Sequence, residues 1–306
     1  TPKAAKLVKS FYDVENVETV KSGDTLDLGG GKVFHFQEIP NVHWPETMVT
    51  YEESTKVLFT CDAFGSFGRI DHAIFDDEMT EEDRTFYTDE ALRYYTNIVS
   101  TFSSFVLKAI DKVSSLDIPI EVIAPSHGII YRKNPMEIVN TYHRFASYMN
   151  GPTDKEITLI WSSMYGNTQS LVESLVNGVK SEGVPINVFQ VPQDHVSYIL
   201  PKAWKSSALI IGMPTYEYKM FPPMAYTLDM FARKHVWHKK VLRFGSYGWS
   251  GGAQKEFDEL TKSLKWEFAE PIEWEGRPDD EVKKKAYEAG KQLARDVKAK
   301  VAAQNN

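Results

Sequence analysis

After Pro152 the sequence alternates apolar runs with amphipathic stretches so regularly that few architectures accommodate it. Ile157 to Trp161, Ile186 to Gln190, Ala208 to Gly212, Val241 to Phe244 and Glu267 to Ala269 read as strands. Thr168 to Ser181, Pro223 to Phe231, Gly252 to Lys262 and Asp279 to Ala303 read as the intervening and closing helices. Near-continuous apolar strands are those covered on both faces. Their alternation with helices predicts an α/β, doubly wound, parallel five-stranded sheet. Ligands of such sheets sit outside the carboxyl ends of the strands, where the strand order reverses.

The first half of the chain follows another rule. A helix over Pro2 to Phe11 precedes short β-like runs at Thr25 to Leu28, Lys32 to Glu38, Met48 to Tyr51 and Lys56 to Phe59, with Gly29 to Gly31 marking a hairpin. Leu92, Tyr95, Ile98, Val99 and Phe102 recur at helical spacing within Asp89 to Ser114. A buried-type strand at Glu121 to Ala124 and a helix over Pro135 to Met149 follow. Asn150, Gly151 and Pro152 then form the best linker signal. Two domains are expected, 1–151 and 152–306, with only a short polar tail, Gln304 to Asn306, lacking pattern.

Composition removes several classes of function. The net charge is −7, with acidic and basic residues intermixed, so no basic footprint for nucleic acid is present. No stretch approaches the roughly 20 apolar residues of a bilayer span, and Thr1 to Lys9 lack a secretory h-region, which points to a cytoplasmic protein with no membrane partner. Cys61 is the only cysteine, so neither an internal disulfide nor a thiolate metal cluster can be built from this chain.

Three loops leave the expected strand ends of the second half. The first, Ser162-Ser163-Met164-Tyr165-Gly166-Asn167-Thr168, is small, polar and free of lysine, and runs directly into a helix. Its amides and hydroxyls suit a phosphate at the positive helix end. Neither Gly-Lys-Ser/Thr nor G-x-G-x-x-G is present, so a monophosphate ester is expected rather than a nucleoside triphosphate or a dinucleotide. The second, Met213-Pro214-Thr215-Tyr216-Glu217-Tyr218, and the third, Ser246-Tyr247-Gly248-Trp249-Ser250-Gly251-Gly252, offer aromatic faces with adaptable backbone between them. A flat ring could stack there while peptide groups bond its edge.

The three loops resemble the flavodoxin pattern, in which a Ser/Thr-x-Thr-Gly-x-Thr loop binds the phosphate of FMN and two later loops hold the isoalloxazine. The resemblance implies FMN bound by Ser162, Ser163, Met164, Tyr165, Gly166, Asn167, Thr168, Pro214, Thr215, Tyr216, Glu217, Tyr218, Ser246, Tyr247, Gly248, Trp249 and Gly251. Tyr165 departs from it by standing at the middle Thr.

In the first half, Asn41 to Glu46, Cys61 to Gly65 and Pro125 to Gly128 each set a His or Asp just after an apolar run. Such side chains suit iron, zinc or manganese, although a single His or Asp beside a strand is more often a hydrogen-bonded structural residue. Together Asn41 to Glu46, Asp62 to Gly68, Ile74 to Glu78, Ala124 to Tyr131 and Ser246 to Ala253 resemble the flavodiiron proteins, or A-type flavoproteins. These join a metallo-β-lactamase-like αββα domain carrying two irons to a flavodoxin-like domain, and reduce O2 to water or NO to N2O. The resemblance implies His43 and His127 as ligands of one iron each, Asp62 as the bridge, and Trp44 as a catalytic-site residue beside the metal pocket. It also implies a head-to-tail homodimer or homotetramer and an electron donor such as rubredoxin, a deazaflavin or a reductase.

The family's His-x-Glu-x-Asp-His run has no counterpart among the eight histidines, and His235 and His238 read as a solvated helix end. The first domain is therefore expected to be an N-terminally incomplete metallo-β-lactamase-like domain, with an exposed sheet edge and an open core. Two alternatives stand beside the reductase. One is a flavodoxin-type electron carrier with a metal-free structural domain, and the other a zinc-dependent β-lactamase-like hydrolase.

Overall fold

The computed structural model describes residues 1–71 and 74–304; His72, Ala73, Asn305 and Asn306 lie outside the described residues. The chain forms two compact units, Thr1–Ala146 and Ser147–Asn306. Asn150, Gly151 and Pro152 lie within the second.

In the first unit, α1 (Pro2–Tyr12) starts on Thr1, whose hydroxyl accepts the Ala4 N–H at 3.2 Å. Strands β1 (Thr25–Asp27), β2 (Val33–Glu38), β3 (Met48–Glu52), β4 (Val57–Phe59) and β5 (Val122–Ala124) form one sheet in that order. The first four are antiparallel, and β4 pairs with β5 in parallel. Period-2 alternation decides what is buried. Val49, Tyr51, Leu58 and Ile123 are buried, whereas Phe59 is 47% exposed and β1 is exposed throughout. Helices α2 (Glu81–Tyr94), α3 (Ser103–Ser114) and α4 (Pro135–Ser147) contribute Leu92, Val106, Ile138, Tyr142 and Phe145 to the core or its margins.

The helical pattern expected over 89–114 is carried by two helices. It starts earlier because Thr80 and Asp83 form a capping box. It breaks because a π turn at Tyr95–Val99 and a 3₁₀ turn at Ser100–Phe102 intervene. There the hydroxyls bond back to the chain, Ser100 to the Thr96 carbonyl at 3.0 Å and Ser103 to that of Ser100 at 2.7 Å.

The second unit is built on β6 (Asp154–Trp161), α5 (Val172–Ser181), β7 (Ile186–Gln190), α6 (Val196–Lys205), β8 (Ser206–Gly212), the small hairpin β9 (Thr215–Tyr216) and β10 (Lys219–Met220), α7 (Pro222–Arg233), β11 (Lys240–Tyr247), α8 (Ala253–Thr261), β12 (Glu267–Phe268), β13 (Ile272–Glu275) and α9 (Asp280–Gln304). The parallel sheet runs β7-β6-β8-β11, and its fifth position is shared by β12 and β13, which pair with the start and the end of β11. Pro271 separates the two pieces. All seven residues of β8 are buried, as a strand covered on both faces must be.

Helix α5 buries Leu175 and Val179 beside Leu171, and α9 buries Ala286, Leu293, Ala294 and Val297 in the same core. Gly178 and Gly290 allow the two helices to approach closely, since a Cβ on Gly290 would stand 2.5 Å from the Leu175 carbonyl oxygen. Helix α6 has no counterpart among the expected elements. Its cap is His195, whose ring accepts the Ser197 N–H at 3.2 Å, and Pro201 lies inside it. Among the described residues, no helix is long and apolar enough to cross a membrane.

Candidate functional site

The strand order reverses about β6, between β7 and β8, and the loops after β6, β8 and β11 converge at the carboxyl ends of their strands. They enclose a cavity of about 510 Å³ lined by Ser163, Met164, Tyr165, Asn167, Pro214, Thr215, Tyr216, Glu217, Tyr218, Ser246, Tyr247, Gly248, Trp249, Ser250 and Gly276. Ser162, Gly166, Thr168 and Gly251 do not line it. Ser162 is buried, its N–H bonded to the Gly212 carbonyl at 2.8 Å, and Gly166 turns the chain at a φ of 84°.

Thr168 ties the first loop to the third. It is fully buried, its hydroxyl lies 3.0 Å from that of Ser246, and it also accepts the Ser246 N–H at 3.4 Å. The second loop is pinned from two sides. Thr215 Oγ1 accepts the Ala253 N–H at 3.4 Å, and the Glu256 carboxylate accepts the Met220 N–H at 2.7 Å. Gly252, at a φ of 150°, lies so close to the Tyr218 carbonyl that a Cβ would collide with it. Gly276 was not expected at the site. It follows β13, the strand that Pro271 hides in the sequence, and its N–H bonds the Tyr247 carbonyl at 2.8 Å.

Tyr165, Tyr218 and Trp249 stand 86%, 66% and 84% exposed around the cavity, while Glu217 is the only charged residue in its lining. A flat ring covering these faces would remove apolar area from water. With no lysine or arginine in the lining, an attached phosphate would depend on amides and hydroxyls, which suits one monoester rather than a polyphosphate. These features fit FMN.

In the first unit the loops after β2, β4 and β5 bring Asp62 between two imidazoles. Its Oδ2 lies 3.2 Å from His43 Nε2 and its Oδ1 3.8 Å from His127 Nε2. His127 Nδ1 lies 2.9 Å from the Ser66 carbonyl oxygen, which fixes the ring. Gly65 makes room for that ring, since a Cβ there would stand 2.8 Å from Nδ1. Trp44 is 41% exposed, and its ring meets that of His43 edge-on with centroids 6.4 Å apart.

Tyr94, which no motif singled out, packs its ring 4.5 Å from His127. Burial first, and then the Asp62 charge, push its hydroxyl well above the usual tyrosine range. That hydroxyl, Ser66 Oγ and Glu46 Oε2 are buried and find no hydrogen-bond partner among the described residues. A carboxylate with one oxygen toward each imidazole suits a bridge between two cations. The set does not fit a complete pair of irons: it gives three donors, and no group of three or more His, Cys, Asp or Glu among the described residues is arranged to hold a metal ion.

Two family models match the chain, "ODP family beta lactamase" over residues 2–128 and "Flavodoxin" over residues 159–290. The anaerobic nitric oxide reductase flavorubredoxin of Vibrio vulnificus is 34% identical over 282 residues, covering 92% of this chain and 56% of its own length. The chain thus spans about half the length of the curated relatives it matches. Among solved structures, rubredoxin oxygen:oxidoreductase from Desulfovibrio gigas superposes with a TM-score of 0.91 at 26% identity, over 99% of this chain and 75% of that one. A single-substitution variant of the flavo di-iron protein from Thermotoga maritima gives 0.86 at 30% identity, over 97% and 72%. With a metallo-β-lactamase-like unit followed by a flavodoxin-like one, in the order of these relatives, the chain belongs to the flavodiiron protein family.

Proposed function

We propose that this chain is an FMN-dependent oxidoreductase of flavodiiron type, which passes electrons from a donor through FMN toward a diiron site that reduces O2 to water and/or NO to N2O. The observation that carries the reading is the cation-free, aromatic-rimmed cavity at the strand ends of the second unit. Bound FMN supplies reversible one- and two-electron chemistry. The residues of the chain hold and shield it. The first loop would receive the phosphate and Tyr216, Tyr218 and Trp249 would cover the ring, while the Thr168–Ser246 link keeps the first and third loops at one spacing. His43, Asp62 and His127 contribute to the iron site, with Trp44 beside it, and further ligands are required to complete two metals.

The electron donor is a rubredoxin, a deazaflavin or a reductase, and the assembly a cytoplasmic head-to-tail homodimer or homotetramer. The test is to supply reduced donor to protein loaded with FMN and iron and to follow both gases. Consumption of either supports the reading, and loaded protein that consumes neither refutes it. The three-donor count favours one second reading, a flavodoxin-type electron carrier. That reading predicts stoichiometric FMN with no iron by elemental analysis, even when the His-x-Glu-x-Asp-His run is supplied.

A further inference from the structure

At the amino ends of the strands, away from the flavin loops, the second unit has another cavity, of about 300 Å³ and mostly polar in its lining. Lys239 approaches it from just before β11, Lys265 and Glu267 from the start of β12, Lys300 from α9, Thr153 from just before β6, and His238 from the turn after α7. Three lysines and a histidine therefore face one carboxylate, and Glu267 is already engaged by Lys240 at 3.1 Å.

Among the described residues the hydrogen-bond and ring partners of the three ammonium groups are neutral, while Glu267 acts on Lys300, and Asp154 and Glu156 on Lys239, through space. Lys239, 1% exposed, donates to the carbonyls of Trp204 at 2.6 Å and Ser206 at 2.7 Å. Lys300 donates to the His238 carbonyl at 2.9 Å, and Lys265 lies 4.2 Å from the centre of the Trp237 ring. The nearby carboxylates of Asp154 and Glu156 are taken up by Tyr148 and Lys205. Burial, and then the Lys300 charge, pull Lys239 down to about 7; burial, Lys265 and Lys300 lower His238 as well.

Part of this is structural, because Lys239 caps the negative carboxyl end of α6. That role leaves Lys265, Lys300 and His238 around one basin in which Glu267, the only carboxylate of the lining, acts on Lys300 and is shared with Lys240. Several cationic donors approaching from different elements match an acceptor with several oxygens and more than one charge. We propose that this cavity binds a phosphate-type oxyanion, free or esterified, at a site separate from the flavin.

The experiment is calorimetric titration of FMN-saturated protein, which keeps the loop after β6 occupied. Inorganic phosphate, glycerol phosphate and sodium chloride are compared at matched ionic strength. One-to-one binding of phosphate or its ester is expected, weakened about tenfold in the double variant K265Q/K300Q, which removes two charge-assisted contacts. Binding of both compounds points to the free ion, and binding of the ester alone to an esterified ligand. Equal heats from chloride, or an unchanged affinity in the double variant, overturn the proposal. Should that variant fail to fold, the His238 ring signals of the unaltered protein decide: they shift on adding phosphate but not chloride if the site exists, and stay fixed if it does not. Because both readouts lie at the amino ends of the strands, their failure leaves the flavin reading untouched.

Discussion

Replacing Thr168 by Val tests whether one buried contact sets the flavin cavity. The side chains are nearly isosteric, so the change removes a hydroxyl and little volume. In the native chain that hydroxyl is the one partner of the Ser246 hydroxyl among the described residues, at 3.0 Å, and both residues are buried, at 0% and 6% exposure. Without it the Ser246 hydroxyl is left buried and unpaired, at a cost of about 1–3 kcal/mol. The longer contact from the Ser246 N–H, at 3.4 Å, adds little. The loss falls on the junction between the first and third loops, so it is expected in two measurements. Urea unfolding should show the destabilisation directly. Titration of apoprotein by quenching of flavin fluorescence should show FMN binding weakened about two- to tenfold if roughly half of the loss is expressed as loop misplacement. Thr168→Ser keeps the hydroxyl, so its affinity should remain near that of the native chain. If Val and Ser variants bind FMN equally well, the Thr168–Ser246 link does not organise the site and the reasoning is wrong.

Four further outcomes follow from the geometry. Trp249→Ala should weaken FMN binding about tenfold, the loss of about 1.5 kcal/mol of ring contact, and an unchanged dissociation constant would take the third loop away from the flavin ring. Gly178→Ala, normally worth about 1 kcal/mol of added helix stability, should instead destabilise the second unit by about 1–3 kcal/mol, because the Cβ collides with the Tyr287 carbonyl; a rise in Tm would contradict the close α5–α9 approach. Asp62→Ala should abolish binding of Fe2+ or Zn2+ to the first unit while leaving FMN affinity intact, and metal titration followed by flavin titration checks both halves. Glu52 accepts hydrogen bonds from the Ser54 and Thr55 side chains and then their amides, which hold its carboxyl at about 2 instead of 4.5. A lowered folded value gives stability that is complete above about 4.5 and is lost as pH falls toward 2, so Glu52→Gln should flatten the acid limb of a stability–pH curve.

The second unit was legible because its physics is local. Ile157 to Trp161 and Ala208 to Gly212 are covered on both faces, so an apolar run is a sufficient signal, and the helices between them bury a single stripe each. What escaped was punctuated by proline. Pro201 disguised α6, and Pro271 cut the fifth strand position in two, which also hid Gly276 in the flavin cavity. The break between α2 and α3 was hidden for a different reason: the apolar spacing continues through it, and only the serine and threonine hydroxyls bonding back to the chain show where the α-helical ladder fails.

The first unit shows why motif reading carries a ligand only part of the way to a metal site. Placement after strand ends singled out His43, Asp62 and His127. The structure brings Asp62 and His127 together because β4 and β5 are adjacent and parallel, so their following loops start side by side, and His43 reaches them from the connection between β2 and β3. The groups that would set the chemistry around them arrive otherwise. Tyr94 comes from the last turn of a helix and Ser66 from a loop whose approach depends on Gly128, where a Cβ would stand 2.9 Å from the Ser66 amide nitrogen. No sequence period encodes those distances. Asp62 is therefore more readable than its surroundings: its nearness to His127 follows from the parallel pairing of β4 with β5, whereas the fixed ring of His127, in contact with Tyr94 and the Ser66 carbonyl, exists only once the core has closed.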